Sequence, residues 1–160
     1  MITAIDTNIL IDILLKDPKF GEKSKELLES QGILGSLIIS QITYSEIMVY
    51  FLKKHEAKMA VSKLDEFLED MGVQVSEFTK EDLILSSQAW QKFTDLKSVI
   101  CPKCGATNQF TCKKCNSQIF WRNHMITDFL IGAHAQNHAN ILLTRDRGYY
   151  KKYFKVKILP

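Results

Sequence analysis

The sequence is poor in the features that mark fibrous, disordered or membrane-spanning chains. Its 160 residues include only 3 prolines and 7 glycines, and it contains no repeat or low-complexity tract. This composition excludes collagen-like, coiled-coil and disordered classes. No apolar run approaches the roughly 18–20 residues that a membrane span needs. With 46% hydrophobic and 24% charged residues, the chain has the composition of one globular domain that can bury a sizeable core.

The start of the chain bears on where the protein works. The first predicted strand begins at Ile2, so no basic leader followed by an apolar stretch precedes it. Without such a leader, a chain is not addressed to the secretory route. We therefore expect a cytoplasmic protein with no membrane partner.

Charge is nearly balanced overall but unevenly distributed. The formal net charge is only +3, from 21 Lys and Arg against 18 Asp and Glu. Residues 22–82 hold 12 acids and 7 bases, whereas residues 97–124 hold 5 bases and no acid. Residues 145–160 hold 6 bases and 1 acid. Two basic blocks beside an acidic body favour a surface that faces a polyanion, and scattered solvated lysines are the alternative.

Short apolar segments alternate with amphipathic ones along most of the chain. The pattern predicts strands at 2–5, within 32–40, and at 73–75, 140–144 and 156–159. It predicts helices at 9–15, 21–31, 42–54, 56–71, 79–96 and 122–137, and a short one from 148. Ser40 can cap one helix, and Thr79 with Asp82 resembles a capping box. This alternation predicts a three-layer α/β/α sandwich with a central parallel sheet.

All the cysteines fall in one window that interrupts this alternation. Two C-x2-C pairs are separated by seven residues, at Cys101, Cys104, Cys112 and Cys115. Gly105 and Asn116 follow the pairs and suit the left-handed backbone that often ends such turns. Four thiolates favour tetrahedral Zn²⁺ in a structural site, and disulfides, free thiols or iron are the alternatives. We therefore interpret 98–121 as a zinc-ribbon-like insertion between 1–97 and 122–160.

Basic and aromatic residues near these motifs are candidates for nucleic-acid contacts. Lysines inside the cysteine window and Trp121 could bind phosphate and stack on bases, and a small module core is the alternative for the aromatic ring. Arg145 and Arg147 flank Asp146 and could touch phosphate or form a solvated pair. The RNA-binding candidates are Lys103, Lys113, Lys114, Trp121, Arg145 and Arg147.

Four carboxylates stand where a metal site could form. Asp6 and Asp146 follow predicted strands, and ligands bind at the carboxyl edge of open α/β sheets. Glu46 and Asp128 lie beside apolar stripes of predicted helices, where unpaired charge is costly. At about 4 Å, each like-charge pair costs roughly 4 kcal/mol at an effective dielectric of 20. Hard oxygen ligands favour Mg²⁺ or Mn²⁺, the ions of two-metal phosphodiester hydrolysis.

Four segments in order resemble the motifs of the PIN domain family. They are residues 4–10, 42–47, 127–133 and 142–150. The resemblance implies a metal-dependent endoribonuclease, many examples of which are VapC-type toxins. It assigns metal binding and catalysis to Asp6, Glu46, Asp128 and Asp146, and supporting hydrogen bonds to Asn8 and Thr144. It also implies RNA as substrate, a homodimer, and an antitoxin or RNA-processing partner.

The sequence departs from the family pattern at two places. Gly148 stands where many members carry another acid, and typical toxins lack residues 98–121. Zinc ribbons of rRNA-maturation PIN nucleases follow the core, whereas these cysteines precede Asp128. Two other functions are weighed against the nuclease: a catalytically inactive nucleic-acid-binding or assembly module, and a phosphatase of the haloacid-dehalogenase type. The phosphatase needs a second acid at the position of Asn8.

Overall fold

A five-stranded parallel sheet organises the chain. The computed structural model describes residues 1–95, 99–100, 106–108, 110–116, 118–119, 126–146 and 148–159. The strands of this sheet are β1 (Ile2–Ile5), β2 (Ser36–Ser40), β3 (Val73–Ser76), β8 (Ile141–Leu143) and β9 (Lys157–Leu159). They pair in the order β3-β2-β1-β8-β9, all in parallel. The predicted parallel α/β architecture is confirmed.

Helices connect the strands and cover both faces of the sheet. The described helices are α1 (Thr7–Leu14), α2 (Gly21–Leu34), α3 (Gln41–Leu52), α4 (Ala57–Asp70), α5 (Lys80–Asp95), α6 (Thr127–His138) and α7 (Gly148–Tyr153). Within the described ranges, none of these helices has both the length and the apolar character that crossing a membrane requires.

Alternating side chains of the strands belong to two separate hydrophobic cores, one on each face of the sheet. Ile5, Ile39 and Leu143 point to one face and pack with apolar residues of α1 to α4. Their neighbours Ala4 and Leu142 point to the other face and pack with α5 to α7. Successive strand residues face opposite sides, so one short strand serves both cores. The result is the predicted three-layer sandwich.

Local capping signals read from the sequence are present. The Ser40 hydroxyl accepts a hydrogen bond from the Thr43 N–H at 3.1 Å and caps α3. The Thr79 N–H donates to Asp82 Oδ2 at 2.8 Å, and the Asp82 N–H donates to Thr79 Oγ1 at 3.3 Å. These reciprocal bonds satisfy amides that the first turn of α5 leaves unpaired, so both predictions are confirmed.

The second strand is shorter than the apolar run that suggested it. Ile33 and Leu34 belong to the last turn of α2 and are 86% and 57% exposed, so the prediction of a turn and strand from residue 32 is wrong there. The bend comes at Gly35, where a Cβ would lie only 1.8 Å from the Met1 carbonyl oxygen. Only a glycine allows this close approach, and β2 begins directly after it.

Two helices begin at different residues from those predicted. α1 begins at Thr7 rather than at residue 9, because Asp6 accepts the N-terminal amide of the helix. α6 begins at Thr127 after Ile126, and the rest of its predicted start, residues 122–125, lies outside the described residues. Gly132 lets α6 pack closely on the loop after α7, since a Cβ there would lie 2.3 Å from the Phe154 ring.

The cysteine window contains two short antiparallel strand pairs. β4 (Val99–Ile100) pairs with β5 (Thr107–Asn108), and β6 (Phe110–Thr111) pairs with β7 (Gln118–Ile119). The Asn116 N–H donates to the Cys112 carbonyl at 2.8 Å, and Asn116 has the predicted left-handed backbone with φ 56°. Gly105 lies outside the described residues.

Candidate active site

Asp6 joins the end of β1 to the start of α1 at the carboxyl edge of the sheet. Its side chain is buried, and its Oδ1 accepts the Thr7 N–H at 2.7 Å. Its Oδ2 accepts hydrogen bonds from Asn8 Nδ2 at 2.5 Å and Thr144 Oγ1 at 2.6 Å. Both oxygens are therefore held in fixed directions by neighbours at the start of α1 and directly after β8.

Thr144 connects the Asp6 carboxylate to the loop after β8. This buried hydroxyl donates to Asp6 and accepts hydrogen bonds from Asn8 Nδ2 at 3.1 Å and the Asp146 N–H at 3.0 Å. Asp146 Oδ1 in turn accepts the Gly148 N–H at 2.8 Å. Asn8 and Thr144 thus lie between the two aspartates that follow neighbouring strands.

Glu46 is held by two threonines that the sequence reasoning missed. Its Oε2 accepts a hydrogen bond from Thr7 Oγ1, and its Oε1 accepts one from Thr127 Oγ1 at 2.6 Å. These bonds tie α3 to the first residues of α1 and α6. The only signal in the sequence is position, because each threonine directly follows or precedes a predicted site aspartate, Asp6 or Asp128.

The four predicted carboxylates act on one another electrostatically. Burial raises the pKa of Asp128 to about 7, and the charges of Asp6, Asp146 and Glu46 add to the rise. Burial also raises the pKa of Asp6 to about 6, against the lowering effect of its hydrogen bond from Thr144. The structure therefore brings all four acids together at one edge, in surroundings that disfavour their joint ionisation.

The candidate site has the ligand chemistry of a divalent-cation site. Carboxylate oxygens that are clustered with a surplus of negative charge are suitable ligands for Mg²⁺ or Mn²⁺. Within the described ranges, no three His, Cys, Asp or Glu side chains are arranged to hold one ion as they stand. The Tyr150 hydroxyl is buried within electrostatic range of these acids, with no hydrogen-bond partner in the described part of the chain. Surplus charge and an unsatisfied donor fit a cation that keeps part of its water shell, as Mg²⁺ does.

Arg145 is held by a buried acid rather than standing as a solvated partner of Arg147. Its guanidinium binds Asp12 Oδ1 at 2.8 Å and lies over the Phe20 ring at 4.3 Å. Asp12 is buried and also accepts a hydrogen bond from Ser24 Oγ at 2.9 Å. The arginine side chain remains 36% exposed, so this anchor fixes its position beside the acidic site while leaving an edge in solvent.

The other sequence-predicted residues belong to the cysteine window, 98–121, apart from Arg147. Lys113 and Lys114 are exposed in a turn between half-buried Cys112 and exposed Cys115. The remaining candidates fall outside the described residues: Cys101, Cys104, Lys103, Trp121 and Arg147.

Comparison with known proteins agrees with the fold and the order of the motifs. The PIN domain family matches residues 3–155. A search of curated proteins finds no match. VapBC2 from Rickettsia felis, solved bound to a DNA fragment from its promoter, is 20% identical with a TM-score of 0.63, over 99% of this chain and 98% of that one. VapBC-1 from nontypeable Haemophilus influenzae is 15% identical with a TM-score of 0.67, over 99% and 97%.

A third solved structure with a similar fold is that of a named toxin. VapC20 from Mycobacterium tuberculosis, a Sarcin-Ricin loop cleaving toxin, is 13% identical with a TM-score of 0.55, over 96% of each chain. At such identities the likeness concerns the fold. The family match, however, spans nearly the whole sequence, and the protein belongs to the PIN domain family.

Proposed function

We propose that the protein is a metal-dependent endoribonuclease that hydrolyses RNA phosphodiester bonds. The observation that carries this proposal is the convergence of Asp6, Glu46, Asp128 and Asp146 at one edge of the sheet. PIN and VapC family members are nucleases, which supports the same reaction class. The catalytically inactive module is the alternative, but it leaves the mutual charge of four acids without a purpose.

The four carboxylates would hold Mg²⁺ or Mn²⁺, in one site or in a pair. A divalent cation supplies Lewis acidity, which makes water a better nucleophile and offsets the charge that develops on phosphate. The protein's own part is orientation: Asn8 and Thr144 fix Asp6. Because the uncompensated acids would repel a phosphodiester, a bound cation would lower the electrostatic cost of bringing RNA to the site.

The partners follow from the same proposal. Exposed cations that follow β8 are candidates for RNA contact: Arg145, Lys151 and Lys152 of α7, and Lys155 of the following loop. The solved relatives from Rickettsia felis and Haemophilus influenzae are VapBC complexes, which supports an antitoxin as a partner here. A homodimer and an RNA-processing role in the cytoplasm are the remaining parts of the proposal.

Cleavage of a mixed pool of single-stranded RNA tests the proposed function. We expect fragments with Mg²⁺ or Mn²⁺, none with EDTA, and none from DNA of the same sequence. Glu46→Gln should abolish the fragments because it removes the charge, while an amide oxygen can still accept from Thr7 or Thr127. Cleavage that persists in EDTA or in Glu46→Gln would contradict the proposal. Absence of cleavage by folded protein under every condition would favour the inactive module.

We also propose that residues 98–121 form a zinc module inserted into the PIN core, which comprises 1–97 and 122–160. Each C-x2-C pair falls between two strands that pair antiparallel, β4 with β5 and β6 with β7. Such short hairpins commonly present cysteine pairs to one ion. Four thiolates fill the coordination shell, so this zinc would be structural.

Metal content tests the zinc proposal separately from catalysis. Protein purified under reducing conditions should carry about one tightly bound zinc ion per chain, as measured by inductively coupled plasma mass spectrometry. Cys112→Ser should lose most of it, since it removes one thiolate. Ser30→Ala, which changes an exposed hydroxyl far away in the sequence, is the matched control. Protein that holds no metal would overturn the assignment.

A further inference from the structure

Tyr150 carries a buried hydroxyl that packing does not explain. The residue belongs to α7 and is fully buried in the core that α7 shares with α5 and α6, with its ring centroid 6.5 Å from that of Phe154. Its hydroxyl has no hydrogen-bond partner among the described residues. A phenylalanine would fill the same space without burying an unsatisfied polar group. The hydroxyl therefore has a use beyond the core.

This hydroxyl lies within electrostatic range of the four carboxylates of the candidate site. Tyr150 follows Asp146 by four residues, and the Gly148 N–H at the start of its helix donates to Asp146 Oδ1 at 2.8 Å. Burial, followed by the charges of Asp6, Asp128, Asp146 and Glu46, raises the pKa of Tyr150 well above the usual value. The phenol therefore keeps its proton and acts as a donor next to an excess of acceptor oxygens. Since none of these oxygens lies within hydrogen-bond distance, a water molecule is the group that can join them.

We propose that Tyr150 donates a hydrogen bond to a water molecule held among Asp6, Glu46, Asp128 and Asp146. The same four carboxylates would hold the divalent cation of the proposed function, and Tyr150 is the positioning residue that orders the water beside them. The catalytic consequence rests on the proposed function, whereas the consequence for cation binding does not. Residues that hydrogen-bond to the ligands of a metal ion, or to its bound water, orient the site without contacting the ion.

Tyr150→Phe removes only the hydroxyl and tests this role with Mn²⁺ alone as the probe. We expect the affinity for Mn²⁺, measured by electron paramagnetic resonance, to fall about ten-fold. The turnover number on RNA should fall by a similar factor with KM unchanged. The unfolding temperature of the metal-free protein should stay the same or rise, since an unsatisfied group is lost. Tyr50→Phe, whose hydroxyl contacts Lys54 instead, is the matched control.

The outcomes separate this inference from the proposed function. Wild-type affinity for Mn²⁺ in Tyr150→Phe, or a change confined to the unfolding temperature, would overturn the inference. If wild type binds Mn²⁺ but cuts no RNA, the proposed function fails while the comparison of Mn²⁺ affinities still decides the role of Tyr150. If wild type binds no Mn²⁺, both fail.

Discussion

Asp6→Asn is expected to reduce metal-dependent cleavage of RNA by about 10³-fold, because loss of a charged cation ligand removes several kcal/mol of stabilisation from the transition state. Asparagine is as good a helix N-cap as aspartate, so the Thr7 amide keeps its partner and α1 keeps its start. The measurement is the initial rate of cleavage of a labelled RNA at saturating Mg²⁺, together with circular dichroism to verify the fold.

A matched variant separates the loss of site charge from the loss of any carboxylate. Asp65 is exposed on α4 and accepts a hydrogen bond from the Tyr44 hydroxyl at 2.9 Å. Asp65→Asn therefore removes the same charge as Asp6→Asn while leaving the candidate site intact. We expect Asp65→Asn to cleave at the wild-type rate. If Asp6→Asn and Asp65→Asn cleave equally well, Asp6 has no part in the reaction.

Asp128→Asn is expected to stabilise the metal-free protein at about pH 8, by roughly 1–2 kcal/mol in the free energy of unfolding. The folded-state pKa of Asp128 is raised from 3.8 to about 7, so its ionisation destabilises the fold above that pH. The full shift would correspond to about 4 kcal/mol, and water reaching this half-buried side chain reduces it.

The direction of the Asp128 pKa shift determines how the stability difference between wild type and Asp128→Asn varies with pH. Below the unfolded pKa of 3.8 the carboxyl is protonated in both states and the substitution should have no electrostatic effect. As pH rises from 3.8 to about 7 the wild type loses stability, and above about 7 the advantage of Asp128→Asn stays at its full value. Urea unfolding of both proteins in EDTA across this range measures the difference.

Divalent cations should reverse the order of stability of these two proteins. Mn²⁺ added at about pH 8 should raise the unfolding midpoint of wild type more than that of Asp128→Asn, since binding to the folded state alone stabilises it. An equal response to Mn²⁺ would mean that Asp128 does not contribute to the cation site. Greater stability of wild type in EDTA at the same pH would contradict the charge repulsion inferred from the structure.

The residues of the candidate site that could be predicted from the sequence are those whose position relative to a strand or an apolar stripe is visible in the sequence. Asp6 and Asp146 follow strands, and parallel strands bring their carboxyl ends to one edge. Glu46 and Asp128 were predicted because charge beside an apolar stripe is costly and because their segments resemble family motifs. The catalytic roles of these residues stay a prediction until cleavage is measured.

The missed residues depend on contacts that no local pattern encodes. Thr127 meets Glu46 across 81 positions, and Arg145 meets Asp12 across 133. The sequence predicts Tyr150 only as part of a short helix. Whether the hydroxyl of a tyrosine is buried without a hydrogen-bond partner depends on the tertiary structure. Ile33 was assigned to an apolar strand, whereas the close approach at Gly35 moves the start of that strand past it.

The antiparallel contact between the end of α5 and the start of α6 has a consequence for how this chain could have been assembled. Phe93 and Phe129 lie with ring centroids 5.5 Å apart, so the packing of α5 on α6 brings together the two ends of the segment that contains the cysteines. A segment inserted between neighbouring points adds little closure entropy, about 0.6 kcal/mol for each doubling of length. Gene rearrangement could therefore exchange this segment for a short turn or for another small module without dismantling the sheet that carries Asp6 and Thr144.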